Sequence, residues 1–177
     1  MAAEHGPALR DVVTTLAQVV AGHEGRPSDG AWWQDGHTRW ELYRRAAGLP
    51  NAREPLLAAV AAESDLPLAS AVVVMMLDKV PAGERDSWVT ALDPGIRDFS
   101  RTREKELSVL DALTAEEPTG SPSAQEIAAW SDWLQLRVVA GTRDRALLEL
   151  LAGCGRTKRI RREARQGADR LRRQDSP

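Results

Sequence analysis

Residues Glu54–Val80, EPLLAAVAAESDLPLASAVVVMMLDKV, hold two helices and the turn between them. Leu56, Leu57 and Val60 recur at helical spacing, and Ser64-Asp65 interrupts the run. Asp65 is a residue type that caps a helix, and Pro67 is tolerated in a first turn. Ala69, Val72, Val73, Met76, Leu77 and Val80 then mark a second apolar stripe. Leu68, Ala71, Val74 and Met75 lie off that stripe, and only Ser70, Asp78 and Lys79 are polar. A helix apolar all round is either a central one covered on every side or one that leaves a groove for a partner helix or second subunit. In the second case Met75 and Met76 are the adaptable contacts.

The same grammar returns 91 residues later. Leu56-Leu57 falls on Leu147-Leu148, Val60 on Leu151, and the Ser64-Asp65 turn on Gly155-Arg156. Downstream, Ala69 meets Ile160, Val73 meets Ala164, Leu77 meets Ala168 and Val80 meets Leu171. Neither hairpin can bury its apolar faces alone, so stacking on neighbours is the physical route to a core.

Outside these hairpins the helix signals continue, and no stretch alternates apolar and polar residues for long. Leu9, Val12, Val13, Leu16, Val19 and Val20 form one face of a first helix between Pro7 and Gly22, and Gly22–Gly36 reads as a loop. Thr38 with Glu41, Asn51 with Glu54 and Ser123 with Glu126 have the spacing of capping boxes. They predict helices to Ala47, to about Glu63 and to Gly141, the last continuous through Trp130 and Trp133. Shorter helices are predicted from about Glu84 to Leu92 and from Thr142 through Leu151, with a longer one to Leu113 between them. Gly153-Cys154-Gly155 breaks the chain before a final helix, Lys158 to about Arg173, capped by Thr157. Thr114–Pro122 is the clearest linker.

The expected organisation is a single domain over residues 1–177. Residues 1–50 carry the N-terminal helices and a Trp-bearing loop, and 51–113 the first repeats. Residues 114–122 are the linker, and 123–177 the last repeats.

Glu54–Val80 and Asp144–Arg173 (DRALLELLAGCGRTKRIRREARQGADRLRR) resemble HEAT-type helical repeats, over about a third of the chain. The resemblance implies an all-α fold, a HEAT-like stack of antiparallel helix pairs, or short α-solenoid, of about nine helices. It also implies binding of proteins or nucleic acids, and it confers no specific chemistry. Some DNA glycosylases use such repeats with Trp and carboxylate residues in the groove. Under that resemblance Trp130, Asp132 and Trp133 would be the candidates here, although on one continuous helix they read as core packing.

Composition bounds the rest. A length of 177 residues, 42% of them hydrophobic and 28% charged, suits a globular chain. One cysteine, Cys154, excludes an internal disulfide. The first seven residues lack a signal-peptide pattern, and Leu66–Leu77 is far shorter than the roughly 20 residues a membrane helix needs, so a cytoplasmic protein is expected. Arginine dominates over lysine, as in a GC-rich bacterial genome, and is no nucleic-acid signature by itself. Its distribution says more: residues 1–155 hold 15 basic and 23 acidic side chains, and residues 156–177 hold 9 and 3.

Two candidate surfaces emerge. Trp32, Trp33, His37, Arg39, Trp40 and Arg44 fall in one short stretch with Glu41, Tyr43 and Arg45. Amphipathic aromatics beside arginine anchor many binding surfaces. The same tryptophans can instead fold back over the open end of the core. Arg161, Arg162, Arg165 and Arg172, with Lys158, Arg159 and Arg173, surround the narrow seam Ile160, Ala164, Ala168 and Leu171 of the last helix. They form either a face for an acidic partner or phosphates, or a solvated cap.

His37 and Glu41 have no third metal ligand at a diagnostic spacing, with His5 and His23 distant. Cys154 reads as a small residue in a tight turn, and no nucleophile or glycine-rich phosphate motif is present. No catalytic residue, cofactor or metal is expected. The expected role is a protein-binding adaptor. Nucleic-acid binding through the last helix and a small-molecule pocket near Trp32, Trp33, His37 and Trp40 are the alternatives.

Overall fold

A computed structural model describes residues 8–22, 31–115 and 120–174. Pro7, His5, His23, most of the loop after Gly22, and Glu116-Glu117-Pro118 of the linker lie outside the described residues. No strand occurs among those described. They form ten α-helices: α1 Leu9–Ala21, α2 Gly36–Ala46, α3 Arg53–Ala62, α4 Leu66–Leu77, α5 Arg85–Ala91, α6 Arg97–Thr114, α7 Ala124–Ala129, α8 Asp132–Gly141, α9 Arg145–Cys154 and α10 Lys158–Gln174. Short 3-10 turns at Trp32–Gln34, Pro50–Ala52, Ala82–Glu84 and Pro94–Ile96 precede α2, α3, α5 and α6. No helix is long and apolar enough to cross a membrane among these residues.

The chain divides into two compact units, Met1–Glu104 and Lys105–Pro177. The division falls inside α6, ahead of the Thr114–Pro122 stretch read as the linker. Low-complexity composition marks where a chain is solvated, whereas unit boundaries follow which residues are packed together.

In the first unit α1 packs mainly on α3 and also touches α2, while α4 lies against α5 and α2. Val13, Leu16, Tyr43, Leu56, Val72, Val73, Leu77 and Trp88 are buried at its centre. The α4 stripe Ala69, Val72, Val73, Met76 and Leu77 is buried, as its spacing predicts. Leu68 and Met75 are half-buried and Leu66 is 40% exposed, so α4 is covered on most sides but not all.

In the second unit α9 and α10 form the most extensive helix pair, with α8 against α10 and α7 against α9. Ile127, Leu134, Val138, Leu147, Leu148, Leu151, Ile160, Ala164 and Ala168 make its core. Close approach at this hairpin depends on two glycines. A Cβ at Gly155 would stand 2.6 Å from the Leu151 carbonyl and 2.8 Å from Ile160 Cγ2. At Gly167 it would press on Leu148 Cδ1 at 3.2 Å.

The 91-residue correspondence shows in burial at five of the seven aligned apolar pairs; Leu57 is half-buried where Leu148 is buried, and Val80 is buried where Leu171 is half-buried. Leu56 and Leu147, Val60 and Leu151, Ala69 and Ile160, Val73 and Ala164, and Leu77 and Ala168 are buried in both copies. Pairing differs, because α3 takes α1 as its main neighbour while α9 takes α10.

Several helix starts differ from expectation. Asp35, not Thr38, caps α2: its Oδ2 accepts from the Thr38 amide at 2.7 Å and the Thr38 hydroxyl at 2.5 Å. These bonds hold the Asp35 carboxyl below its usual range. No side chain caps α3, which continues the Pro50–Ala52 turn, so Asn51 and Glu54 form no box. Asp144 caps α9 through the amides of Ala146 and Leu147 at 2.8 and 3.2 Å, two residues beyond Thr142. Cys154 accordingly ends α9 rather than sitting in the turn.

The expected helix from Ser123 to Gly141 is two helices. Trp130 turns extended, and the Ser131 hydroxyl caps α8 by accepting from the Leu134 amide at 3.2 Å. The Ser123–Glu126 capping box, the Asp65 cap and the Thr157 cap are formed as predicted.

Candidate binding surfaces

The aromatic segment is organised by a buried ion pair. Arg39 donates from Nε to Glu63 Oε2 at 2.8 Å, from one terminal nitrogen to Oε1 at 3.0 Å and from the other to the Trp33 carbonyl at 2.8 Å. The Tyr43 hydroxyl donates to the same Glu63 oxygen as Nε, at 2.8 Å, and the Asp65 amide donates to Oε1 at 2.9 Å. Burial pushes the Tyr43 pKa far up, and the negative charge of Glu63 adds to it. Burial opposes the charge on Arg39, but the hydrogen bonds and charge of Glu63 outweigh it and hold that pKa above the ordinary value.

Arg39, expected among the accessible arginines, is therefore 5% exposed and committed to the core. What sequence reasoning missed is Glu63, which lies 24 positions away and shares no local pattern with it.

The other members of the segment separate. Trp32 faces a groove of about 400 Å³ between α1 and α2, with Val20, His37, Glu41, Leu42 and Arg45 among its walls. His37 and Arg45 are exposed. Trp33 and Trp40 are half-buried and do not line that groove. Arg44 is exposed and pairs with Glu41 at 3.0 Å.

The last helix presents a second surface. Ile160, Ala164, Gly167 and Ala168 are buried, and Leu171 is half-buried against the same core. At 100° per residue, Lys158, Arg162, Arg165 and Arg173 fall on the opposite side. All four are exposed, and none has an ion-pair partner among the described residues. Lys158 and Arg173 stand about 22 Å apart along the axis.

Two of the expected arginines have structural partners. Arg161 is half-buried and donates to the Gly155 carbonyl at 2.6 Å, clamping the α9–α10 turn. Arg172 bridges Glu149 and Asp169 at 3.6 and 3.5 Å. Arg170, also exposed, belongs beside the free cations, and its place away from the main stripe hid it.

Trp130, Asp132 and Trp133 do not converge on a cleft wall. The Trp130 carbonyl accepts from Arg156, Asp132 pairs with Arg156 at 3.1 Å, and Arg137 lies 5.4 Å from the Trp133 ring centroid. Among the described residues no cluster of three or more His, Cys, Asp or Glu is placed to hold a metal ion.

Fold and surfaces thus define an all-α protein with a Trp32-lined groove and a cationic helix face. Compared with known proteins, the chain matches no family model, no curated protein and no solved structure.

Proposed function

We propose that this chain is a non-enzymatic protein-binding module of the helical-repeat type, a HEAT-like stack working in the cytoplasm, whose α10 face docks on an acidic protein surface. One observation carries the proposal: Lys158, Arg162, Arg165 and Arg173 are exposed, without an ion-pair partner among the described residues, on a helix whose opposite side is fixed to α9. Their side chains are presented by a rigid element, so little backbone ordering is lost on docking. The matching burial of the hairpins α3–α4 and α9–α10 supports the repeat reading.

An acidic protein is favoured over nucleic acid on electrostatic grounds. Glu163 and Asp169 interrupt the cationic run of α10, so it offers no continuous track for a long phosphate backbone. No aromatic side chain shares the face to stack a base. The test measures binding of poly-glutamate and of duplex DNA by fluorescence anisotropy. Poly-glutamate is expected to bind, weakening about tenfold or more in Arg162→Glu/Arg165→Glu. Tighter binding of DNA, lost in the same variant, transfers the site to nucleic acid.

A second reading rests on the Trp32 groove. An indole beside apolar Val20 and Leu42, with the exposed Arg45 among the walls, suits a small ligand with an apolar body and an anionic group. Tryptophan fluorescence titrated with aromatic carboxylates tests it, and an unchanged spectrum removes it.

A further inference from the structure

We infer that the acidic surface on which α10 docks belongs to a second copy of this chain and is the groove between α1 and α3. The inference rests on the docking role proposed for α10. The groove encloses about 340 Å³, with Asp11, Val12 and Thr15 contributed by α1 and Glu54, Pro55 and Ala58 by α3. Asp11 and Glu54 are exposed, and neither carboxylate has an ion-pair partner among the described residues. Between them the floor is apolar, formed by Val12, Pro55 and Ala58.

Two free carboxylates on either side of an apolar floor match the anatomy of an arginine side chain. Its aliphatic stem covers apolar surface while its guanidinium takes carboxylate oxygens. The chain supplies such arginines on α10, where Arg162 and Arg165 lie within one turn of each other, exposed and without an ion-pair partner among the described residues. Charge is distributed to match. Residues 1–104, which carry the groove, hold 11 basic and 15 acidic side chains. Residues 156–177 hold 9 and 3.

Donor helix and acceptor groove are different patches, so α10 of one copy pairs with the groove of another, and the average mass grows with concentration above that of a single chain.

Sedimentation velocity on the full chain, over a concentration series at low and high salt, reads this directly. The expected result is self-association that weakens in high salt. Glu54→Arg and Arg162→Glu should each raise the association midpoint about tenfold or more. Circular dichroism checks that both variants keep the wild-type helix content. An equimolar mixture of the two variants should associate again, because the intact α10 of Glu54→Arg meets the intact groove of Arg162→Glu, and the two reversed patches meet each other. A wild-type chain that stays monomeric at low salt overturns the inference, and so does association indifferent to Glu54→Arg. Poly-glutamate binding separates the two claims. If a monomeric chain still binds it through α10, the docking face stands and only the second copy falls. If neither binding nor association occurs, the docking face itself is lost.

Discussion

Arg39 and Glu63 meet side on, Nε and one terminal nitrogen against the two carboxylate oxygens, with 6% and 0% of their side-chain surface left to solvent. This pair ties α2 to the end of α3, and through the Trp33 carbonyl it also fixes the turn that carries Trp32. Removing one partner leaves the other charged and dry. Arg39→Ala and Glu63→Gln should each cost about 3–5 kcal/mol in urea unfolding. Loss of Arg39 should also loosen the Trp32 turn, read as a red shift of tryptophan emission before global unfolding.

Tyr43 gives the same cluster a pH signature. It is the chain's one tyrosine, and its folded-state pKa is raised by burial and by the charge of Glu63. The unfolded chain ionises near the ordinary value of 10, while the folded chain keeps its proton. Below that pH both states are protonated and the stability is fully present. Above it the unfolded state alone loses a proton, so stability falls as pH rises. Urea midpoints measured from neutral to strongly alkaline pH should decline more steeply for wild type than for Tyr43→Phe. The tyrosinate absorbance should appear only together with unfolding. A tyrosinate signal in the folded chain at its ordinary pH would contradict the burial-driven shift.

How much of this was legible depends on the range of each interaction. The stripes of α4 and α10 repeat every three or four residues, so Val72, Val73, Leu77, Ile160 and Ala164 announce their burial in the sequence. Cap identity is less determined. Asp35 and Thr38 are both capping types three residues apart, and only geometry chooses the carboxylate that accepts twice from Thr38. The break at Trp130 was masked because Ile127, Trp130, Leu134 and Val138 keep helical spacing across it. Glu63 was illegible altogether, since a charged residue at the end of a helix normally reads as solvated. The candidate residues divide the same way: the exposure of Arg162 and Arg165 followed from the pattern of α10, while the burial of Arg39 required its distant partner.

Gln135 holds the second unit together at a position the apolar pattern of α8 skips. Its side chain is fully buried; Nε2 donates to the Ile127 carbonyl at 2.7 Å and Oε1 accepts from the Arg156 amide at 2.9 Å. It therefore joins the end of α7 to the turn before α10. Gln135→Leu leaves the part-buried Arg156 amide unpaired, at about 1–3 kcal/mol, and takes one of two donors from the Ile127 carbonyl, which keeps the Trp130 amide at 3.2 Å. Thermal unfolding should show a loss of that order. Hydrogen exchange should speed up at Arg156 and in the first turn of α10 ahead of the first unit.

Gly153 and Gly155 lie two residues apart and should respond oppositely to the same substitution. Gly153 is in the last turn of α9, and a methyl group there meets nothing within 4 Å. Gly153→Ala removes backbone freedom from the unfolded chain and improves helix propensity, a gain of roughly 0.5–1 kcal/mol. At Gly155 the methyl group runs into the Leu151 carbonyl at 2.6 Å, an atom that already accepts the Gly155 amide at 2.9 Å and cannot retreat without breaking that bond. Ile160 and Arg161 close the other side at 2.8 and 3.2 Å. Gly155→Ala should cost about 1–3 kcal/mol by forcing α9 and α10 apart. A shift of Ile160 also tilts α10, so the variant should weaken poly-glutamate binding although it touches none of the free arginines. Melting temperatures that move in the same direction for both substitutions would show that the hairpin is not set by contact at Gly155.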